Sequence, residues 1–283
     1  MSDDLQGRIA LITGANSGLG MEAASALADR GARVLLACRS TARGEAAREA
    51  LLARHPGAAL SVVPLDVTDP ASVRSMAETV RREHGALHVL INNAGIQSQQ
   101  RQLTPAGVER VFATNVLGYF LVAAALEPLL RESAPARLVN VASSFAGDLD
   151  LDDLYFERRR YKATAAYRQS KACNRMLTWA HARRLEGSGV TANASAPGMV
   201  LSTNIYADVP AVQKAVLKVV NRFVGQQTPA QGADTTAWLA SSPEVAGITG
   251  GLFEERQRIP CEFADPVAEE QLWGICESLR ARS

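Results

Sequence analysis

The segment YRQSK places Tyr167 and Lys171 four residues apart. If this stretch is helical, both side chains lie on one face, one turn apart, so a phenol and an ammonium group can act together. A free tyrosine has a pKa of about 10, so at neutral pH it is a poor base for accepting a proton from an alcohol. A lysine cation about 4 Å from the phenolate, at an effective dielectric constant of about 20, would stabilise it by roughly 4 kcal/mol. The spacing fits a proton donor beside its activator, although an ordinary amphipathic helix also produces it.

The rest of the chain has an alternating pattern that predicts the frame for these two residues. Short β-branched runs such as RIALIT and RVLLAC are each followed by an Ala-rich, charged segment, and LSVVPL and LHVLIN continue the rhythm. Further strands are expected within 136–143, 189–195 and 250–254. This alternation predicts βα units around a buried parallel sheet. We therefore predict a single α/β domain over residues 1–283, a doubly wound three-layer sandwich with about seven parallel strands.

The composition excludes several classes of function. The 283 residues are 47% hydrophobic and carry a formal net charge of +1. This balance gives no electrostatic signal for nucleic acid or for an anionic membrane, and it favours a small-molecule substrate. The longest apolar run, VLGYFLVAAAL, ends before Glu127 and Pro128 and is too short to span a bilayer, so we expect a cytoplasmic protein. The four cysteines and four histidines lack metal-ligand spacing, so we expect no metal site.

The stretch TGANSGLG connects the first predicted strand to the first predicted helix. Its glycines, Gly14, Gly18 and Gly20, would let the backbone approach a pyrophosphate, and the helix start would offer unpaired N–H groups. The spacing GxxxGxG departs from the GxGxxG fingerprint, and three glycines could also form only a tight turn. Together with the flanking strand and helix, the stretch predicts a dinucleotide site.

The end of the second predicted strand indicates which dinucleotide binds. A carboxylate there accepts a hydrogen bond from the ribose 2′-hydroxyl of NAD, whereas a 2′-phosphate requires a cation. Residues 32–42 contain no Asp or Glu, but Arg39 ends the strand and Arg43 follows one turn later. A guanidinium group can bind a phosphate through paired hydrogen bonds. This favours NADP(H), with NAD(H) as the alternative; either arginine could also be a solvated surface charge.

A series of motifs, in chain order, resembles the short-chain dehydrogenase/reductase family: TGANSGLG, LDVTD, NNAG, ATNVLGYF, VNVASS, YRQSK and APGMV. The stretches ACRSTARGE and EEQLWGICESL, with the long spacer before Tyr167, are most similar to the retinol dehydrogenase branch and its bacterial relatives. The resemblance implies a Rossmann fold and hydride transfer between a nicotinamide cofactor and a carbonyl or alcohol.

The resemblance also implies roles for individual residues. The catalytic set would be Asn115, Ser144, Tyr167 and Lys171, with Ser143 as the alternative to Ser144. Tyr167 would exchange a proton with the substrate oxygen, Ser144 would orient that oxygen, and Asn115 would hold a water that links the lysine to solvent. The implied cofactor-binding residues are Gly14, Asn16, Ser17, Gly18, Leu19, Gly20, Arg39, Asp66, Val67, Asn93, Ala94, Gly95, Asn115, Tyr167, Lys171, Pro197, Gly198, Val200 and Ser202.

Two segments, 147–165 and 201–227, interrupt the alternation at places where such sheets bind ligands. In the second segment, apolar side chains recur at helical spacing: Val212, Val216, Val219, Val220 and Phe223. This pattern predicts a lid over an apolar substrate or a helix on a membrane surface, and the two lysines of its polar face, Lys214 and Lys218, favour the lid. A cap on the core is the alternative. We expect a lipophilic ketone, aldehyde or alcohol as the substrate.

The helix predicted to carry Tyr167 also has an apolar stripe, formed by Cys173, Met176, Leu177 and Ala180. The resemblance implies that two copies pair through this helix; burial of the stripe inside one chain is the alternative.

Two other functions are possible for a chain of this fold. A catalytically silent member that senses the NADP(H) ratio would be expected to lose Tyr167 or Lys171, and both are present. An epimerase or dehydratase acting on nucleotide sugars would need a substantial C-terminal substrate domain. Only about 30 residues follow the segment GGLFE, which is too few for one.

Overall fold

The computed structural model describes residues 5–198 and 227–282. These residues form one sheet in the order β3-β2-β1-β4-β5-β6-β7-β8. The strands are β1 Ile9–Thr13, β2 Arg33–Cys38, β3 Leu60–Pro64, β4 Val89–Asn92, β5 Ala136–Val141, β6 Val190–Ser195, β7 Gly251–Glu254 and β8 Gln257–Ile259. The first seven are parallel. The strand order reverses between β1 and β4, which creates a crevice at their carboxyl ends.

Helices cover both faces of the sheet. They are α1 Gly18–Asp29, α2 Thr41–Arg54, α3 Pro70–His84, α4 Arg110–Phe112, α5 Gly118–Glu132, α6 Ala163–Arg184, α7 Pro229–Ser241 and α8 Pro266–Ala281, and a π-helical turn, Ala113–Leu117, joins α4 to α5. Ala10 and Ile12 of β1 pack in the layer of α1 and α7, and Leu11 packs in the layer of α3, α5, α6 and α8. Successive side chains of a strand point to opposite faces of the sheet, so one apolar run contributes residues to both cores. The predicted doubly wound three-layer α/β fold is confirmed.

The prediction of about seven strands missed the eighth. β8 pairs antiparallel with β7 across a two-residue turn, Glu255 and Arg256, whose φ values are 48° and 61°. Two successive left-handed residues form a tight hairpin turn that usually contains Asn or Gly. Glu and Arg give no such signal in the sequence. Side-chain contacts offset the strain: Arg256 donates from its backbone N to Thr235 Oγ1 at 3.1 Å and from Nε to Asp234 Oδ2 at 2.7 Å.

The last helix, α8, covers the apolar stripe of α6. Trp273 packs edge-on against Phe120 of α5 and His181 of α6, with ring centroids 4.8 and 5.0 Å apart. The Arg184 guanidinium lies 3.9 Å from the Trp273 ring centroid. The four stripe residues, Cys173, Met176, Leu177 and Ala180, are fully buried. The stripe that led us to expect pairing of two copies therefore lies in the interior of the chain.

Within the described ranges, one helix, Arg110–Glu132, is long and apolar enough to cross a membrane by length and composition. However, 72% of its most apolar window is buried inside the fold. Its apolar residues include Phe112 and Phe120, which belong to the core beside α3, α6 and α8. This helix therefore packs as the central helix of one layer.

Candidate active site

The turn between β1 and α1 has a backbone that requires glycine. Gly14 and Gly18 have φ values of 67° and 55°, in the left-handed region that residues with side chains disfavour. A Cβ atom on Gly20 would lie 2.4 Å from Nδ2 of Asn93, and one on Gly14 would lie 3.0 Å from Cα of Ala94. The turn therefore packs directly on the loop after β4. It forms a cradle at the start of α1, where backbone N–H groups can bind phosphate.

Thr13, at the end of β1, joins this turn to the loop after β4. Its Oγ1 accepts hydrogen bonds from the backbone N atoms of Asn93 and Ala94, at 2.9 and 3.0 Å. The Asn93 side chain donates back to the Thr13 carbonyl at 2.8 Å. The two loops are thereby held as one unit. Nothing in the sequence marks Thr13 apart from its place in TGANSGLG, and we did not predict its role.

A cleft of about 770 Å³ opens at the carboxyl ends of β1 to β4. The predicted cofactor contacts that line it are Gly14, Asn16, Ser17, Gly18, Leu19, Arg39, Asp66, Val67, Asn93, Ala94 and Gly95. Arg43, the second arginine considered for the 2′-phosphate, also lines it. Side chains that we did not predict line it as well, among them Ser40, Gln102, Leu103, Arg110 and Thr114. The cleft lies where the strand order reverses, and its size is in the range of small-molecule sites.

One end of the cleft carries cationic side chains. Arg39 lies 4.0 Å, from Nη1 to Oδ2, from Asp66, and its side chain is 65% exposed. Asp66 also accepts from the N and Oγ1 atoms of Thr68, at 3.0 and 2.7 Å. Arg43, in the first turn of α2, lines the same cleft. Because its contact with Asp66 is long, the Arg39 guanidinium keeps donors for an anionic ligand.

Asn115 lies fully buried in the π-helical turn Ala113–Leu117. Such turns are rare and frequently occur at functional sites. Its Nδ2 donates to Ile96 O and to Ser170 Oγ, both at 2.9 Å, and its Oδ1 accepts from Ile96 N at 2.8 Å. Ser170 Oγ in turn donates to the carbonyl of Tyr167 at 2.7 Å. Asn115 therefore ties the loop after β4 to the helix that carries Tyr167.

Lys171 is buried beside Tyr167. Its Nζ lies 5.8 Å from the ring centroid of Tyr167 and 5.6 Å from that of Tyr119, and it donates to Val141 O at 2.8 Å. Burial lowers the pKa of Lys171 to about 7, because a low-dielectric environment disfavours the charged form. The structure thus brings the two side chains together, with the lysine only partly cationic at neutral pH. A neighbouring phenolate would favour its cationic form.

The two serines of VNVASS have different surroundings. Ser144 is exposed, and its Oγ donates to Glu254 Oε1, at the end of β7, at 2.6 Å. Ser143 is half-buried: its Oγ accepts from Phe145 N at 3.1 Å, and its carbonyl accepts from Nη2 of Arg175 in α6 at 2.6 Å. Both hydroxyls follow the end of β5, so the choice between them stays open. We did not predict Glu254, because no motif marks it.

The residues predicted to border the nicotinamide lie at the end of β6. Pro197 and Gly198 line a separate cavity of about 270 Å³. A Cβ atom on Gly198 would lie 2.6 Å from Oε1 of Gln227, so a larger residue would displace that side chain. Val200 and Ser202 lie outside the described residues, as does all of the predicted lid except its last residue.

The fold and the cleft are those of a dinucleotide-binding α/β protein. A profile of the family described as short chain dehydrogenase matches residues 8–214, and the chain belongs to the short-chain dehydrogenase/reductase family, whose members use NAD(H) or NADP(H). The chain is 39% identical to retinol dehydrogenase 14 of Homo sapiens, over 96% of this chain and 86% of that protein. It is 37% identical to a probable oxidoreductase of Streptomyces antibioticus, over 98% of this chain and 99% of that one. The resemblance to the retinol dehydrogenase branch and its bacterial relatives is confirmed.

A solved structure from Beutenbergia cavernae has the same fold. It is provisionally described as an NAD(P) dependent gluconate 5-dehydrogenase with NADP bound at low occupancy. The similarity covers 89% of this chain and 96% of that one, with 25% sequence identity and a TM-score of 0.72. A structure of this fold can therefore bind a dinucleotide.

Proposed function

We propose that this chain transfers a hydride between NADP(H) and the carbonyl or alcohol carbon of a lipophilic small molecule, with Tyr167 as the general acid and base. The observation that carries the proposal is the burial of Lys171, only 2% exposed, with Nζ 5.8 Å from the Tyr167 ring centroid. On an ordinary amphipathic face, a lysine extends its ammonium into water. A buried lysine with a lowered pKa beside a titratable phenol is instead typical of a functional site.

The cleft has the groups that the cofactor requires. The turn from Gly14 to Gly20 would hold the pyrophosphate, Asp66 would border the adenine, and Arg39 and Arg43 would bind the 2′-phosphate. These arginines, without a carboxylate at the end of β2, support NADP(H) over NAD(H). The NADP in the similar Beutenbergia cavernae structure supports the same choice. When bound, the nicotinamide supplies or accepts the hydride.

The side chains around Tyr167 supply the proton chemistry. As the carbonyl is reduced, Tyr167 donates a proton to its oxygen, while Ser144 or Ser143 donates a hydrogen bond that stabilises the developing negative charge. Lys171, in its cationic form, stabilises the phenolate that remains. Asn115 keeps the loop after β4 fixed against the helix of Tyr167; the water that we expect it to hold stays a prediction. In alcohol oxidation the same phenolate accepts the proton.

Two exposed apolar side chains, one beside the proposed reactive serines and one in the large cleft, support a lipophilic substrate. Phe145 directly follows the two serines and is 55% exposed, and Leu103, which lines the large cleft, is 50% exposed. Among the described residues, Val267 is the only other large hydrophobic side chain that is as exposed. An exposed apolar side chain beside the reactive groups is available for contact with an apolar ligand. The similarity to an enzyme named for retinol, an apolar alcohol, supports the same conclusion.

The test is NADPH consumption by the purified protein with a panel of long and short aldehydes and ketones. Tyr167→Phe should lower kcat by ~100- to 10,000-fold while NADPH still binds. Tyr155→Phe is the matched control: its ring packs on Phe112 against the core, so loss of its hydroxyl should leave kcat unchanged. Undiminished turnover in Tyr167→Phe would contradict the proposed acid, and a preference for small polar carbonyls would contradict the lipophilic substrate.

A further inference from the structure

The spacer between β5 and α6 is organised around one buried carboxylate. The Asp153 side chain, 1% exposed, accepts four hydrogen bonds from its own segment. Oδ1 accepts from the backbone N atoms of Glu157 and Arg158, at 2.7 and 3.2 Å. Oδ2 accepts from the N and Nε atoms of Arg159, at 2.9 and 3.1 Å. Three consecutive backbone N–H groups thus depend on a single side chain, which fixes the turn that contains them.

Arg159 connects this turn to the helix that carries the proposed acid. Its Nη2 donates to the carbonyl of Asp153 at 2.9 Å and to Oε1 of Gln169 at 2.8 Å. Gln169 is buried, and its Nε2 donates to the carbonyl of Leu154 at 3.2 Å. Gln169 lies only two residues beyond Tyr167. Any movement of the spacer therefore acts on the first turns of α6 directly.

Both ends of the spacer are also attached beside the proposed acid. Near its start, Gly147 N donates to Arg168 O at 3.2 Å, and a Cβ atom on Gly147 would lie 2.4 Å from the Arg168 guanidinium. Near its end, the hydroxyl of Tyr161 donates to the carbonyl of Ser98, in the loop after β4, at 3.1 Å. The spacer thus bridges the same two elements, α6 and the loop after β4, that Asn115 joins.

We propose that Asp153, Arg159 and Gln169 form a positioning cluster, which holds residues 147–162 as a fixed wall of the substrate cleft. The wall determines which substrates reach Tyr167, and which face of a ketone they present. The spacer starts directly after the proposed reactive serines and ends directly before α6, at the carboxyl edge of the sheet, where ligands bind in this class of fold. A fixed wall lowers the conformational cost of ordering substrate and acid together. This inference rests on the proposed function.

The decisive variant is Arg159→Met, which keeps a side chain of similar length but removes the donors to Gln169 and Asp153. Its matched control is Arg74→Met, which loses the same charge at an exposed position of α3, outside the wall. For the best bulky ketone of the panel, Arg159→Met should raise KM on the order of tenfold and change the ratio of the two alcohol enantiomers. NADPH affinity should stay the same, since the cofactor cleft does not include the cluster. Arg74→Met should match the wild type in all three measurements.

Amide hydrogen exchange measures whether the wall is ordered, independently of any catalytic activity. The amides of residues 157–159 should exchange slowly in the wild type, and at least about 100-fold faster in Asp153→Asn, because an amide side chain cannot accept all four bonds. If Asp153→Asn fails to fold, the exchange rates of these amides in the wild type decide alone.

Rapid exchange of these amides in the wild type would overturn the inference. So would an unchanged KM and enantiomer ratio in folded Arg159→Met while the wild type is active. A wild type that binds NADPH but reduces no member of the panel would overturn the proposed function, and this inference with it. Failure of this inference alone can therefore be distinguished from failure of the proposed function.

Discussion

Replacing the buried Lys171 with methionine should stabilise the fold while it abolishes the proposed activity. Methionine has a similar length and is apolar, so it suits a side chain that is 2% exposed. The carbonyl of Val141 loses its bond from Lys171 but keeps the one that the Tyr119 hydroxyl donates, at 3.3 Å. No acceptor is left unpaired, and the variant removes only an amine whose charged form burial disfavours.

The expected gain depends on pH. Lowering the pKa of Lys171 from 10.5 to about 7 corresponds to about 5 kcal/mol, at about 1.4 kcal/mol per tenfold change in proton affinity. The full free-energy cost of burying the charged amine applies below pH 7, where the lysine is charged in both the folded and the unfolded chain. Between pH 7 and 10.5 the unfolded chain binds more protons, so wild-type stability rises with pH. The difference in free energy of unfolding between Lys171→Met and wild type should therefore decrease by about 3 kcal/mol between pH 7 and 9.5.

Urea unfolding followed by circular dichroism, at several pH values between about 6 and 10, measures this difference. Groups that titrate in the same range but lie away from Lys171 occur in both proteins and cancel from the comparison. Tyr167 lies beside Lys171, so both proteins are compared with Tyr167→Phe also present. Lys162→Met, at an exposed position just before α6, is the control and should show no such pH dependence. A stability difference between Lys171→Met and wild type that stays constant with pH would refute the reasoning.

Three further changes test other parts of the structure. Gly20→Ala puts a Cβ atom 2.4 Å from the Asn93 amide, so NADPH affinity should fall by at least about tenfold in calorimetric titration; an unchanged Kd would contradict the cradle. Arg39→Glu should weaken NADPH binding by about 100-fold and NADH binding much less, and equal losses for both would exclude a contact with the 2′-phosphate. Trp273→Ala removes the ring that packs on Phe120 and should cost about 2–4 kcal/mol in urea unfolding; a cost near zero would mean that α8 contributes little.

Much of the fold could be predicted because it depends on local signals. Alternating apolar runs and Ala-rich segments specify βα units, and the glycines of TGANSGLG mark a turn whose φ values only glycine adopts readily. The four-residue spacing of Tyr167 and Lys171 is likewise a local property, and the helix places both side chains on one face as predicted. These features follow from residues that are close in the sequence.

The rest depends on contacts between distant parts of the chain. The β7–β8 hairpin turns at Glu255 and Arg256, whose strain is offset by bonds to residues of α7 about 20 positions earlier. Asp153 resembles any acidic loop residue until the turn closes around it. Pattern alone also could not decide whether the stripe on α6 faces a second copy or α8. In each case the residues that make the deciding contact lie at no characteristic distance from each other along the sequence.

During synthesis, the face of α6 that α8 covers stays open until α8 emerges from the ribosome. Pro266 follows the end of α6 by about 80 residues, so at ~5–20 residues per second the apolar side chains are uncovered for roughly 4 to 16 seconds. Nascent chains can aggregate through this face during that interval, or bind a chaperone there. Slow translation of the last part of the message should therefore lower the yield of native protein, even though the finished enzyme buries the same side chains.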